Sequence, residues 1–144
     1  ASAATKTARA PTRLVLAGVF VHFLLLVHVG YWTYAETPPG NWAKETFELS
    51  RNQCNRVGHL ALGLFPAFIA REVPLRATPR RPGGWLAFLV GSVALAVGAF
   101  WELIEWWGRR LVAGEVVLGV QGDVWDAQWA RFLALVGAIV ALAR

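Results

Sequence analysis

Four long runs of apolar residues divide the chain, at residues 14–32, 56–75, 84–107 and 126–143. A helix needs about 20 mostly apolar residues to cross the roughly 30 Å hydrocarbon core of a bilayer. The second run is the weakest, because its apolar centre covers only residues 60–70 and also suits a re-entrant or interfacial helix. Arg56 and Arg71 at its ends could extend their charged groups to the two interfaces and so let it span. The pattern predicts an all-α, polytopic membrane protein with four transmembrane helices in a bundle.

Aromatic residues mark the ends of these runs. Most of the eight tryptophans lie near a predicted boundary, as expected of an aromatic belt at the membrane interface. Between the first two runs, residues 41–53 (NWAKETFELSRNQ) predict a short helix with Trp42, Phe47 and Leu49 on the membrane surface. Neither feature needs a ligand to explain it.

Composition supports the membrane assignment. Hydrophobic residues make up 56% of the chain and charged residues only 16%, which is typical of integral membrane proteins. No basic stripe interleaved with aromatic residues is present, so the net charge of +5 does not indicate nucleic-acid binding. The single cysteine, Cys54, excludes an internal disulfide and any CxxC motif.

The basic residues predict an orientation. Three lie in residues 1–13, four lie between residues 71 and 81, and Arg144 ends the chain, whereas the other two connections mix acids with bases. Because cytoplasmic loops are enriched in Lys and Arg, we expect both termini on the cytoplasmic side, N-in and C-in. Residues 1–13 then form a flexible basic cytoplasmic arm, and residues 14–144 form a single four-helix transmembrane domain.

Polar residues from distant parts of the chain converge at the outer ends of these spans. In this topology the second span begins with NRVGH (residues 55–59), the third ends with two glutamates, and the fourth begins with QGDVWDAQ (residues 121–128), while His28 lies near the end of the first. A charged residue at the centre of a transmembrane helix costs about 2.5–3.5 kcal/mol, so such groups usually face the protein interior and mark functional sites. The predicted pocket comprises Arg56, His59, Glu102, Glu105, Asp123, Asp126 and Gln128.

Small residues at helical spacing predict that these polar groups face inward. The third span carries the stripe Gly91, Ala94, Gly98, Glu102 and Glu105. The fourth carries Asp126, Ala130, Leu133, Gly137 and Ala141, and on the second His59, Gly63 and Pro66 share a face. Small residues let membrane helices pack closely, so these faces are expected to meet at the bundle axis.

Each polar group also has a structural interpretation. Asp123 or Asp126 could cap the fourth helix, and Arg56 could neutralise one glutamate in an ion pair. His22 and His28 could be packed helix–helix donors rather than ligands. A carboxyl group could also be held protonated by burial.

The sequence resembles one known family at several separate motifs. Residues 55–72, NRVGHLALGLFPAFIARE, resemble the D-R-x-G-H…G-x-x-P-A…R-E signature of YjdF-like bacterial inner-membrane proteins. Residues 100–137 resemble that family's E-x-x-E-W…G-x-Q-G-D-x-W-D-x-Q-x-D…G block. The resemblance implies a multi-pass protein of the bacterial inner membrane. Two positions depart from the pattern, since Asn55 and Ala130 stand where the family usually has aspartate.

A more distant similarity links the basic residue, the histidine, the acid-rich helix and the D-x-x-D motif to VanZ-like envelope proteins. Neither family implies a settled activity, so several functions stay open. A purely structural cluster is one, and a proton- or ion-conducting role is another. The favoured function is a binding or accessory subunit of a membrane complex, whose polar pocket holds a lipid head group, an ion or a partner helix. Its partners would be membrane lipids, other membrane subunits or a second copy of the chain, but not nucleic acid.

The alternative is a metal-dependent membrane enzyme that acts on a lipid-linked or cell-envelope substrate. His59, Glu102, Glu105 and Asp126 would then hold a divalent ion such as Zn²⁺, Mn²⁺ or Mg²⁺. Arg56 would bind a phosphate or carboxylate group of the substrate. The absence of HExxH and ExxH spacings weighs against this alternative, and the two missing aspartates weigh against a two-metal form of it.

Overall fold

A computed structural model describes residues 12–78, 82–111 and 122–143. Within these ranges the chain forms five helices and no strand: α1 (Arg13–Trp32), α2 (Pro38–Thr46), α3 (Cys54–Ala77), α4 (Gly84–Leu111) and α5 (Asp126–Leu142). The all-helical prediction is confirmed at this level. Most of the basic arm (residues 1–11), Gln121 and Arg144 lie outside the described residues.

Two helices in the described part of the chain are long and apolar enough to cross a membrane. They are α1 and the Gly84–Gly108 part of α4. Most large apolar side chains of α1 are exposed, including Phe20, Phe23 and Leu24. An apolar surface of this kind is typical of a helix that faces lipid rather than a protein core.

Helix α3 lies at the centre of the fold and contacts α1, α4 and α5. It continues without a break through Pro66 and Pro74 for 24 residues, or about 36 Å. The second apolar run is therefore one continuous helix. It begins at Cys54, six residues before the apolar centre at residues 60–70. Its buried face carries Asn55 and His59, and these polar residues lower its hydropathy.

Helices α3 and α5 approach closely because each of them has a glycine that faces the backbone of the other helix. A Cβ atom added to Gly63 would lie 2.0 Å from the carbonyl oxygen of Ala134, and one added to Gly137 would lie 2.5 Å from that of Leu60. The predicted small-residue stripes are largely correct: Ala94 and Gly98 on α4, and Ala130, Gly137 and Ala141 on α5, are buried, whereas Gly91, Pro66 and Leu133 are half-buried.

The prediction of a helix over residues 41–53 is wrong in its boundaries. Helix α2 begins at Pro38, because proline favours the first position of a helix, and it ends at Thr46. The loop that follows is held by buried Asn52, whose side-chain amide donates to Asn41 Oδ1 at 2.9 Å and whose Oδ1 accepts the Cys54 N–H at 2.9 Å. The last residues of this loop, 51–53, lie directly before the start of α3.

Candidate metal site

Three helices bring four ionisable side chains to one buried cluster. Helix α3 supplies His59, α4 supplies Glu102 and Glu105, and α5 supplies Asp126. Each of the four is at most 8% exposed. Glu102 and Glu105 share a face because residues three apart lie together on a helix. The four residues predicted as metal ligands are therefore brought together by the structure.

The four side chains are close enough to share an ion. One ligand atom from each, an imidazole nitrogen or a carboxylate oxygen, lies within 4.8 Å of the others. Opposite ligands of a first-row or Mg²⁺ ion lie about 4.2 Å apart at bond lengths of about 2.1 Å. A small contraction of the cluster would complete such a coordination shell.

His59 provides a second observation at the same place. The side chain is only 1% exposed, yet neither ring nitrogen makes a hydrogen bond to any described residue. Its Nε2 lies 3.6 Å from Glu102 Oε1, too far for a hydrogen bond but in the direction of the cluster. Buried polar groups are normally hydrogen-bonded, so two ring nitrogens without such a bond leave the ring able to bind an ion.

Polar neighbours orient two of the acids. The indole N–H of Trp101 donates to Glu105 Oε1 at 2.8 Å. The amide of Asn55 donates to both oxygens of Asp126, at 3.0 and 3.1 Å. Asn55, which replaces the aspartate of the family pattern, thus acts as a donor to an acid of the cluster rather than as another acid.

Two arginines lie beside the cluster: both bind Asp123, and Arg51 also binds Asp126 of the cluster. Arg51 donates from Nη1 to Asp123 Oδ2 at 2.7 Å and from Nη2 to Asp126 Oδ1 at 3.3 Å. Arg56 donates to the same oxygen of Asp123 at 3.0 Å, and its guanidinium stacks 4.4 Å from the ring centre of Trp129. The expectation that Arg56 neutralises a glutamate is not met, because in the described structure its carboxylate partner is Asp123.

The remaining predicted residues take other positions. Asp123 Oδ1 accepts the Trp125 N–H at 2.9 Å, just before α5, and this bond, aided by Arg56 and Arg51, holds the pKa of Asp123 below its usual value. Asp126 is the first residue of α5, not the preceding cap. Gln128 is exposed on α5, so its side chain is turned away from the buried cluster.

The two histidines of α1 lie outside the group of four. His22 packs edge-on against Phe65, with ring centres 5.4 Å apart, as expected of a helix-packing residue. His28 is half-buried.

Arg51 is the polar residue beside the site that sequence reasoning missed. It precedes α3 in the loop after α2, where helical periodicity gives no information about direction. One feature of the sequence could have indicated Arg51: it lies only four residues before Asn55, in a segment that was otherwise predicted to lie on the membrane surface.

Comparisons with known proteins agree with this description. A family model described as "Predicted membrane protein (DUF2238)" matches residues 2–144. The chain belongs to the DUF2238 family. It is also 42% identical over 130 residues to inner membrane protein YjdF of Escherichia coli K12, an alignment that covers 89% of this chain and 62% of the relative. No solved structure matches the chain.

These matches confirm the resemblance to YjdF-like proteins and the location in the bacterial inner membrane. The family is described as a membrane family, the relative is an inner membrane protein, and α1 and α4 are apolar enough to span. Because the chain spans less than two thirds of the relative's length, properties of the whole relative do not transfer directly.

Proposed function

We propose that this protein binds a divalent metal ion between α3, α4 and α5, as a metal-binding protein of the bacterial inner membrane. The observation that carries the proposal is the grouping of four buried ligand atoms from His59, Glu102, Glu105 and Asp126 within 4.8 Å of one another. The buried ring of His59, without a hydrogen bond to the described residues, supports it independently.

The donor set favours particular metals. Imidazole suits Zn²⁺ and other later first-row ions, whereas carboxylates suit Mn²⁺ and Mg²⁺. Mg²⁺ usually keeps several waters and is held by one or two carboxylates, which fits poorly with one imidazole and three acids in a buried cluster. We therefore propose Zn²⁺ or Mn²⁺ as the bound ion.

The proposal includes the membrane arrangement that the sequence predicts. With α1, α3, α4 and α5 as spans and both termini on the cytoplasmic side, the cluster lies toward the outer face of the membrane. The starts of α3 and α5 and the second half of α4 would then lie at similar depth, in agreement with the contacts among these helices. An enzyme that uses this ion on a lipid-linked or envelope substrate remains the alternative prediction.

Metal analysis of the purified protein tests the proposal. We expect protein extracted in mild detergent to contain close to one equivalent of Zn²⁺ or Mn²⁺, or to take it up on titration. The double variant Glu102→Gln/Glu105→Gln should lose the ion while staying folded, because an amide is a much weaker ligand than a carboxylate.

The matched control is Glu45→Gln/Glu48→Gln, which makes the same chemical change at two exposed positions in and after α2. Its metal content should equal that of the wild type. A folded wild-type protein that neither contains nor takes up Zn²⁺ or Mn²⁺ would refute the proposal, and so would equal metal content in the two double variants.

A further inference from the structure

We propose that Arg51 is a positioning residue of the metal site, which holds the carboxylate of Asp126 in the orientation that ligation requires. This inference rests on the proposed function, because it assigns a role in metal affinity to a residue that is not itself a ligand. Arg51 lies outside the helices, in the loop between α2 and α3.

The contacts of Arg51 point to this role. One guanidinium group bridges two acids, with Nη1 2.7 Å from Asp123 Oδ2 and Nη2 3.3 Å from Asp126 Oδ1. Asn55 adds donors to both oxygens of Asp126 from the opposite element, α3. A carboxylate held from two directions has a fixed plane, and its remaining lone pairs are available to an ion beside His59.

The loop that carries Arg51 is itself held in place. The neighbouring Asn52 is 1% exposed and donates to the carbonyl oxygens of Ala35 and Thr37, at 3.1 and 3.2 Å, as well as to Asn41. Arg51 is only 8% exposed. The guanidinium is therefore presented by a fixed backbone, which is what an outer-sphere group needs if it is to orient a ligand.

An ion pair on the protein surface would not be expected to orient a metal ligand. Exposed pairs contribute little because water screens both charges. Arg51 is buried, and one of its partners is a proposed ligand, so its removal would leave Asp126 held by Asn55 from one side only. Loss of such an outer-sphere partner typically weakens metal binding by about 10–100-fold.

The experiment compares metal affinity with the stability of the metal-free protein. Zn²⁺ and Mn²⁺ are titrated into metal-stripped wild type, Arg51→Gln, Arg51→Lys and the control Arg131→Gln, and the Tm of each metal-free protein is measured. Arg131 is exposed on α5 and donates to the Ala127 carbonyl at 3.2 Å, so its substitution removes the same charge without touching an acid.

We expect Arg51→Gln to raise the Kd by about 10–100-fold and Arg131→Gln to leave it unchanged. Arg51→Lys should lie between them, because an ammonium group keeps the charge but cannot bridge two acids with separate donors. If Arg51→Gln does not fold, Arg51→Lys and Asn55→Ala carry the test, since each removes part of the hold on Asp126.

The outcomes separate the two proposals. Metal binding by the wild type with an unchanged Kd in every folded Arg51 and Asn55 variant overturns the positioning role and leaves the metal site standing. A Tm loss in the metal-free Arg51 variant with wild-type affinity has the same meaning, because it shows a structural role only. Absence of binding in the wild type overturns the metal site and the positioning role with it.

Discussion

Replacement of Gly63 by alanine tests how tightly the metal site depends on the contact between α3 and α5. The added Cβ would lie 2.0 Å from the Ala134 carbonyl oxygen and 2.4 Å from its Cα, against about 3.4 Å for an ordinary contact. Both atoms belong to the backbone, so no side chain can rotate out of the way. The two helices would have to separate by on the order of 1 Å, as expected of overpacking in a dense core.

The cost of this separation can be estimated. Overpacking typically destabilises by about 1–3 kcal/mol, which corresponds to a fall in Tm of roughly 2–12 °C at roughly 2–4 °C per kcal/mol. Gly63 lies one turn after His59 on α3, so the same movement would carry His59 away from Asp126 on α5. Ligand sets need to be held within about 0.5 Å, so we also expect weaker binding of Zn²⁺ or Mn²⁺.

Two glycines of α4, Gly91 and Gly98, provide a graded control. A Cβ added to Gly91 meets nothing within 4 Å, and one added to Gly98 lies 3.2 Å from the Ala134 Cβ. We expect Gly91→Ala to keep or raise the Tm, since alanine favours a helix over glycine by about 0.5–1 kcal/mol, with Gly98→Ala intermediate. Tryptophan fluorescence during heating in detergent measures the series. A Tm for Gly63→Ala equal to that for Gly91→Ala would refute the close-approach argument.

Two further predictions concern the loops around the site. The Trp125 N–H and the Arg56 guanidinium hold the pKa of Asp123 below its usual 3.8, so the stability from this carboxylate is fully present above pH 3.8 and is lost as the pH falls through its lower folded value. Asp123→Asn should therefore flatten the fall in Tm below about pH 4, and a wild-type-like slope would contradict this. Asn52→Ala should cost about 1–3 kcal/mol, because Thr37 and the loop carbonyls lose a buried donor. A Tm within about 1 °C of the wild type, where roughly 2–4 °C per kcal/mol is expected, would contradict that.

Helical periodicity, together with the predicted topology, was enough to predict that His59, Glu102, Glu105 and Asp126 would converge. Because residues three and four apart lie on one helix face, the spacing of Glu102 and Glu105 with the small residues before them predicted an inward face, and both acids are buried. The same spacing predicted that His59 shares a helix face with Gly63, and that Asp126 shares one with Ala130. The apolar runs likewise predicted the helices, with boundaries displaced by a few residues.

The partners of the charged groups could not be predicted in this way. Arg51 lies in a loop whose path depends on contacts of Asn52 with residues 35–41. Arg56 binds Asp123, and helical periodicity does not predict which acid a long, flexible side chain will bind. Gln128 follows Asp126 by two residues, a rotation of about 200° on a helix, and it faces outward although it belongs to the same motif.

Local geometry and long-range packing thus determine different parts of this protein. The sequence determined the helices, their buried faces and the identity of the four clustered side chains, because these follow from a repeat of 3.6 residues and from the cost of charge in a membrane. Only the tertiary structure decided that α3 and α5 touch at Gly63 and Gly137, and that Arg51 reaches Asp126. Those contacts join residues more than 70 positions apart, and their geometry depends on the packing of all the elements between them.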